Sequence, residues 1–287
     1  MLRTVYECVH HGRQYIRWRD QGWLRTVSAR VLLLTCCLLT VAPGWPLAKT
    51  GADNSQMTHY TVNILRTLPH STKSFTQGFL YHDGMLYEST GLVGQSSLQK
   101  LDPISGKVLV SMRIADVFAE GLARWENHLI QLTWKDRCAY MYNISDFSQA
   151  GVFQYHTEGW GLTSSEHHLI MSDGTDVLYF RNPHTFAVEK TLHITFQGHP
   201  LPYLNELEYV DGSIYANVWY QNVIVQIDPG SGNVIGIIQV QPIFRILPPL
   251  HGDSVLNGIA YNPSTHTFYL TGKNWPNIFE VTLVQEL

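Results

Sequence analysis

Two recurring positions in this chain collect residue types that could do chemistry together. The first holds Gln77, Glu120, Trp160, Asn205 and Asn257, and the second holds Gly91, Trp134, Gly174, Trp219 and Lys273. Glu120 is the only acid in either set, and a lone carboxyl among amides and indoles suits proton transfer. The amides and Lys273 can hold a polar or negatively charged group, and three indoles can wall a pocket. Each residue also has a blander reading. Glu120 reads as a solvated strand-end carboxylate, the tryptophans as blade-packing core, Lys273 as a surface cation and Asn257 as a turn cap. Shared register favours a site for Glu120, which aligns with Gln77 and Asn205. Three of the five tryptophans beyond residue 48 fall on the two positions, which favours an aromatic pocket.

The positions recur because a short phrase recurs five times. Phe75-Thr76-Gln77-Gly78-Phe79-Leu80 is followed by a turn at Asp83-Gly84 and then Leu86-Tyr87-Glu88-Ser89-Thr90-Gly91. Phe118-Ala119-Glu120-Gly121-Leu122-Ala123 leads likewise to Leu129-Ile130-Gln131-Leu132-Thr133-Trp134. Copies begin at steps of 43, 40, 45 and 52 residues. Such a period, with several short strands per unit, is the mark of a β-propeller. No stretch carries a helical stripe. Turns such as Asp102-Pro103-Ile104-Ser105-Gly106 and Asp228-Pro229-Gly230-Ser231-Gly232 place hairpins between the outer strands. Four units have four strands, and the fifth ends one strand short. The strand over about 60–68 is left over at the other end. The expected fold is therefore all-β, a five-bladed β-propeller whose ring is closed by that N-terminal strand joining the last blade.

Residues 1–48 differ from the rest. Six arginines precede or flank the apolar run Val31 to Val41, which is too short to span a bilayer of about 30 Å. The expectation is an export signal, with the product periplasmic or secreted, or else an anchor through residues 31–41. Residues 49–58 read as a flexible lead-in and 59–287 as the propeller domain. Six of the 19 Lys and Arg and two of the 23 Asp and Glu lie in the leader, leaving 13 against 21 and a net charge of −8. That acidity argues against a nucleic-acid surface, which needs a basic stripe. Three of the four cysteines also lie there, so Cys138 alone remains and neither a disulfide nor a zinc-type cysteine cluster is available. No metal-ligand spacing, nucleophile elbow or phosphate loop appears, so no metal or cofactor is expected.

Phe75-Thr76-Gln77-Gly78, Phe118-Ala119-Glu120-Gly121-Leu122, Leu204-Asn205-Glu206-Leu207-Glu208 and Thr271-Gly272-Lys273-Asn274-Trp275 resemble the glutamine cyclotransferase family, the plant and bacterial type of glutaminyl cyclase. The resemblance covers about residues 60–287, with the motifs in order. It implies zinc-independent cyclisation of N-terminal glutamine, in peptides or proteins, to pyroglutamate with release of ammonia. It also implies catalytic roles for Glu120, Asn205 and Lys273 and substrate contacts from Phe75, Gln77, Phe118, Trp134, Trp160 and Trp219. A monomer is expected, with no membrane contact beyond the leader. Two rivals share the architecture. A calcium-dependent propeller lactonase would use Glu120, Asn205 and Asn257 as ligands, although Lys273 opposes a cation there. A non-catalytic propeller would bind a peptide or partner protein at its aromatic mouth.

Overall fold

The computed structural model describes residues 57–114 and 116–286, so the expected leader and nearly all of the lead-in lie outside the described residues. Strand β1 (Thr58–Pro69) comes first. Repeat one supplies β2 (Thr76–His82), β3 (Met85–Thr90), β4 (Ser97–Leu101) and β5 (Val108–Arg113). Repeat two supplies β6 (Ala119–Trp125), β7 (His128–Thr133), β8 (Cys138–Asn143) and β9 (Gln149–Gln154). Repeat three supplies β10 (Leu162–Ser164), β11 (Leu169–Ser172), β12 (Val177–Arg181) and β13 (Val188–His193). A small hairpin, β14 (Thr195–Phe196) and β15 (His199–Pro200), precedes repeat four. That repeat supplies β16 (Leu204–Val210), β17 (Ser213–Val218), β18 (Val223–Ile227) and β19 (Val234–Gln239). After the one-turn helix α1 (Gln241–Phe244) come β20 (Leu256–Asn262), β21 (Thr267–Gly272) and β22 (Asn277–Gln285).

Each of the first three repeats is its own four-stranded antiparallel sheet, ordered as in sequence. Burial grades outward within a blade. The first five residues of β2 and of β6 are all buried, whereas the outermost β5 and β9 are mostly exposed. The outer hairpins form by the expected turn chemistry. Asp102 Oδ1 accepts from the N–H of Ile104 at 2.9 Å and of Ser105 at 2.7 Å, and Gly106 closes the turn at φ 68°. Asp228 and Gly232 repeat the arrangement in blade four.

The core is divided among the blade interfaces. One apolar cluster joins Leu80 and Leu98 of blade one to Leu122 and Leu129 of blade two. Others join blades two and three, three and four, and four and five. The fifth sets Phe79 and Leu86 of blade one against Tyr269 and Ile278 of the last blade, which closes the ring.

Closure also runs through β1. It pairs antiparallel with β22 from Tyr60 opposite Gln285 to Pro69 opposite Asn277, as the strand count requires. It also pairs in parallel with β19, Thr58 to Thr61 against Gly236 to Gln239. Blades four and five thereby become one eight-stranded sheet, a junction the sequence did not announce. Helix α1 is a second departure from the all-strand expectation. Pro242 lies in its first turn, where a missing N–H costs nothing, and Phe244 packs on Trp275 with ring centroids 5.4 Å apart. Among the described residues no helix is long and apolar enough to cross a membrane.

Candidate active site

The first register position lies at the N-terminal end of the innermost strands. Gln77, Glu120, Asn205 and Asn257 are each the second residue of β2, β6, β16 and β20, and Trp160 precedes the shorter β10. In all four longer strands the ladder breaks there. Register shifts fall between Thr76 and Gly78, Ala119 and Leu122, Leu204 and Leu207, and Leu256 and Ile259. A bulge re-aims a side chain that regular pleating would point into a blade face. The second position follows the next strand and is tied back to the first. The N–H groups of Gly91, Trp134, Trp219 and Lys273 donate to the carbonyls of Phe75, Phe118, Tyr203 and Val255, at 2.8–2.9 Å. Both positions thus sit at one end of the axis.

Close approach explains the glycines. A Cβ on Gly121 would come within 2.6 Å of Trp160 O, so the inner strands could not converge with a side chain there. At Gly174 it would meet the Trp160 ring at 2.6 Å, so glycine in one copy makes room for an indole in another.

Glu120 and Lys273 are both buried, at 5% exposure each. Burial pushes the Glu120 carboxyl well above its ordinary range; the Lys273 charge and a hydrogen bond with Gln77 oppose this, and Glu158 adds to it. Burial pulls the Lys273 ammonium down, while Glu120 and Asp253 hold it up. Its Nζ lies 4.8 Å from the centre of the Phe75 ring. Phe75, Phe118 and Trp134 form an edge-to-face chain with centroids 6.1 and 5.6 Å apart, and Trp160 meets Trp219 edge-to-face at 5.4 Å. Asn257 Nδ2 donates to Thr76 O at 2.9 Å and Gln77 Oε1 at 3.1 Å, which holds the Gln77 amide in place. Asn205 Oδ1 and the Trp219 indole N–H are buried and have no hydrogen-bond partner among the described residues. Each such group carries a desolvation cost of about 1–3 kcal/mol that a bound amide can offset.

The sequence-derived residues Phe75, Gln77, Phe118, Glu120, Trp134, Trp160, Asn205, Trp219 and Lys273 therefore gather at the same end of the propeller. The reading omitted Glu158, whose Oε2 accepts from the Trp134 indole N–H at 2.7 Å and the Trp160 indole N–H at 3.1 Å. A signal was present. Glu158 stands two residues before Trp160, the offset at which Phe75 and Phe118 precede Gln77 and Glu120. The loop between β19 and β20 belongs to this end as well. Val255 O accepts from the Lys273 N–H at 2.9 Å, and Ser254 O from the Trp275 indole at 3.1 Å. Among the described residues no three His, Cys, Asp or Glu side chains are grouped as a metal site would require.

Comparison with known proteins places these observations in context. The family model described as glutamine cyclotransferase matches residues 34–283. A glutaminyl-peptide cyclotransferase from Arabidopsis thaliana is 36% identical over 229 residues, covering 78% of this chain and 72% of its own. The crystal structure of Myxococcus xanthus glutaminyl cyclase superposes with a TM-score of 0.77 at 35% identity, covering 81% of this chain and all of its own.

Proposed function

The chain belongs to the glutamine cyclotransferase family, and from that premise we propose that it cyclises N-terminal glutamine of peptides or proteins to pyroglutamate at the site around Glu120, without zinc. The observation that carries this is a buried carboxyl, raised by desolvation, beside a buried lysine and unpartnered amide and indole groups.

The reaction is intramolecular. The α-amine nitrogen attacks the substrate's own γ-carboxamide carbon, a five-membered ring closes, and the C–N bond to the leaving ammonia breaks. The amine attacks only when neutral, and at a reference pKa of about 7.7–8.0 part of it is neutral at pH 7. Glu120 as carboxylate takes the proton that the amine loses and returns it to the departing nitrogen. A raised pKa suits both halves of that transfer. Lys273, Gln77 and Asn205 hold the carboxamide and the negative charge that develops on its oxygen, and the Trp219 N–H adds a donor. One such donor is worth about 3–4 kcal/mol in the oxyanion holes of other enzymes. The indoles fold the side chain toward its amine and exclude water. Export through the leader is part of the same proposal, supported by its arginines and the Val31 to Val41 run.

The test is ammonia release from a Gln-initiated dipeptide amide by protein beginning at about residue 49, with and without EDTA. EDTA-insensitive release with matching pyroglutamate is expected. A folded protein that releases none would overturn the proposal, and calcium-dependent lactone hydrolysis would then favour the lactonase.

A further inference from the structure

We propose that Glu158 is a positioning residue of this site, fastening the indole walls of Trp134 and Trp160 to each other and presenting its charge to Glu120. The inference rests on the cyclase reading above.

Trp134 follows β7 in blade two and Trp160 precedes β10 in blade three, so no single ladder fixes the two rings together. Their N–H groups instead converge on one oxygen, Glu158 Oε2, at 2.7 and 3.1 Å. The N–H of the next residue, Gly159, donates to the Trp134 carbonyl at 3.1 Å, so the Glu158-Gly159 pair holds Trp134 by backbone and ring alike. The other oxygen, Oε1, lies 3.9 Å from Lys135 Nζ, and that same ammonium lies 3.9 Å from the centre of a Trp134 ring. Carboxylate and ammonium thus grip the indole by its edge and its face. Hydrogen bonds to a charged acceptor are the stronger kind, and here one anion orders two rotamers.

Charge gives the second half of the argument. Glu120 faces Lys273 from the last blade, Gln77 from the first and Glu158 from the connection into the third. The Tyr155 hydroxyl also lies within electrostatic reach, its proton donated to the Thr133 carbonyl. Glu158 itself faces Lys135 and the two indoles, and Asp253 faces Lys273. The Glu158 anion favours the protonated form of Glu120, in opposition to Lys273.

The experiment compares wild type, Glu158→Gln and Glu158→Ala for kcat and KM on a Gln-initiated dipeptide amide across pH. Both variants remove the anion, so the acidic limb of each kcat profile moves to lower pH. Glutamine keeps an acceptor oxygen for the indoles, so its KM stays within about twofold of wild type. Alanine frees both rings and raises KM about tenfold. A Glu158→Gln profile that superposes on that of wild type overturns the electrostatic role, and it decides the matter even if Glu158→Ala does not fold. An alanine variant with wild-type KM overturns the fastening role. Wild type that turns over no Gln-peptide overturns the cyclase reading itself, which separates that failure from this one.

Discussion

At the scale of the residue, the contest at Glu120 is between burial, which favours the neutral carboxyl, and Lys273, which favours the anion. Burial wins, and a carboxyl so placed is exchanged for an amide at little structural cost. Glu120→Gln should lower kcat for ammonia release by about 10²–10⁴, the span of a lost general acid–base, while thermal denaturation shifts little. A variant at near-wild-type rate would remove Glu120 from the mechanism. Gly174 tests the wall. Its φ of 82° disfavours a side chain, and a Cβ there would lie 2.6 Å from the Trp160 ring. Gly174→Ala should therefore raise KM and destabilise by about 1–3 kcal/mol, read from kinetics and denaturant unfolding side by side. These positions were legible in the sequence because the scaffold repeats while their chemistry changes. Glu158 was not singled out, because its role depends on where two indole N–H groups from different blades meet. Its register two residues before Trp160 is a trace in the sequence, but register alone does not show where side chains from different blades converge.

At the scale of the element, the strand ends do the aiming. Four bulges turn Gln77, Glu120, Asn205 and Asn257 out of the pleat, and strand β1 holds the ring shut behind them. β1 buries Val62 and Leu68, each worth about 1.5–3 kcal/mol, and covers the edges of both β22 and β19. Those terms and the lost ladder rival the roughly 5–15 kcal/mol by which domains are stable. Deletion through residue 68 should therefore abolish the cooperative melting transition followed by circular dichroism, and an unchanged melt would mean that the ring closes without it. Counting strands was enough to predict β1 beside β22, because one blade was short and one strand was spare. The parallel pairing with β19 was not readable, since turn residues specify only antiparallel hairpin neighbours. The bulges were equally hidden. They follow from packing inner strands around an axis, not from local propensity, although the glycines at 78, 121 and 161 mark where the inner strands of neighbouring blades approach most closely.

At the scale of the whole molecule, blade four supplies what ties the others across the axis. Where three copies carry glycine directly after a bulged amide or acid, this one carries Glu206, whose two oxygens accept from the N–H of Phe79 at 3.1 Å and of Ile259 at 2.8 Å. Two residues on, Glu208 accepts from the N–H of Tyr261 at 2.9 Å. It lines a cavity of about 290 Å³ formed by the far ends of the inner strands, opposite Glu120. Burial pushes Glu206 well above the carboxylate range and Glu208 up to about 8. Both therefore keep a proton in the folded protein that the unfolded chain gives up at about pH 4.3. The sign follows: their contribution is fully present below the unfolded pKa and is lost as pH rises through the folded one, over about pH 4.3–8 for Glu208. Its share is about 3–5 kcal/mol. Glu208→Gln cannot ionise, so its melting temperature should fall less than that of wild type between about pH 5 and pH 8. Because Glu208 lies at the end away from Glu120, cyclase activity at neutral pH should stay close to wild type in the same variant. Equal pH slopes for the two proteins would show that Glu208 ionises without penalty and that the axis is not where this fold yields to alkali.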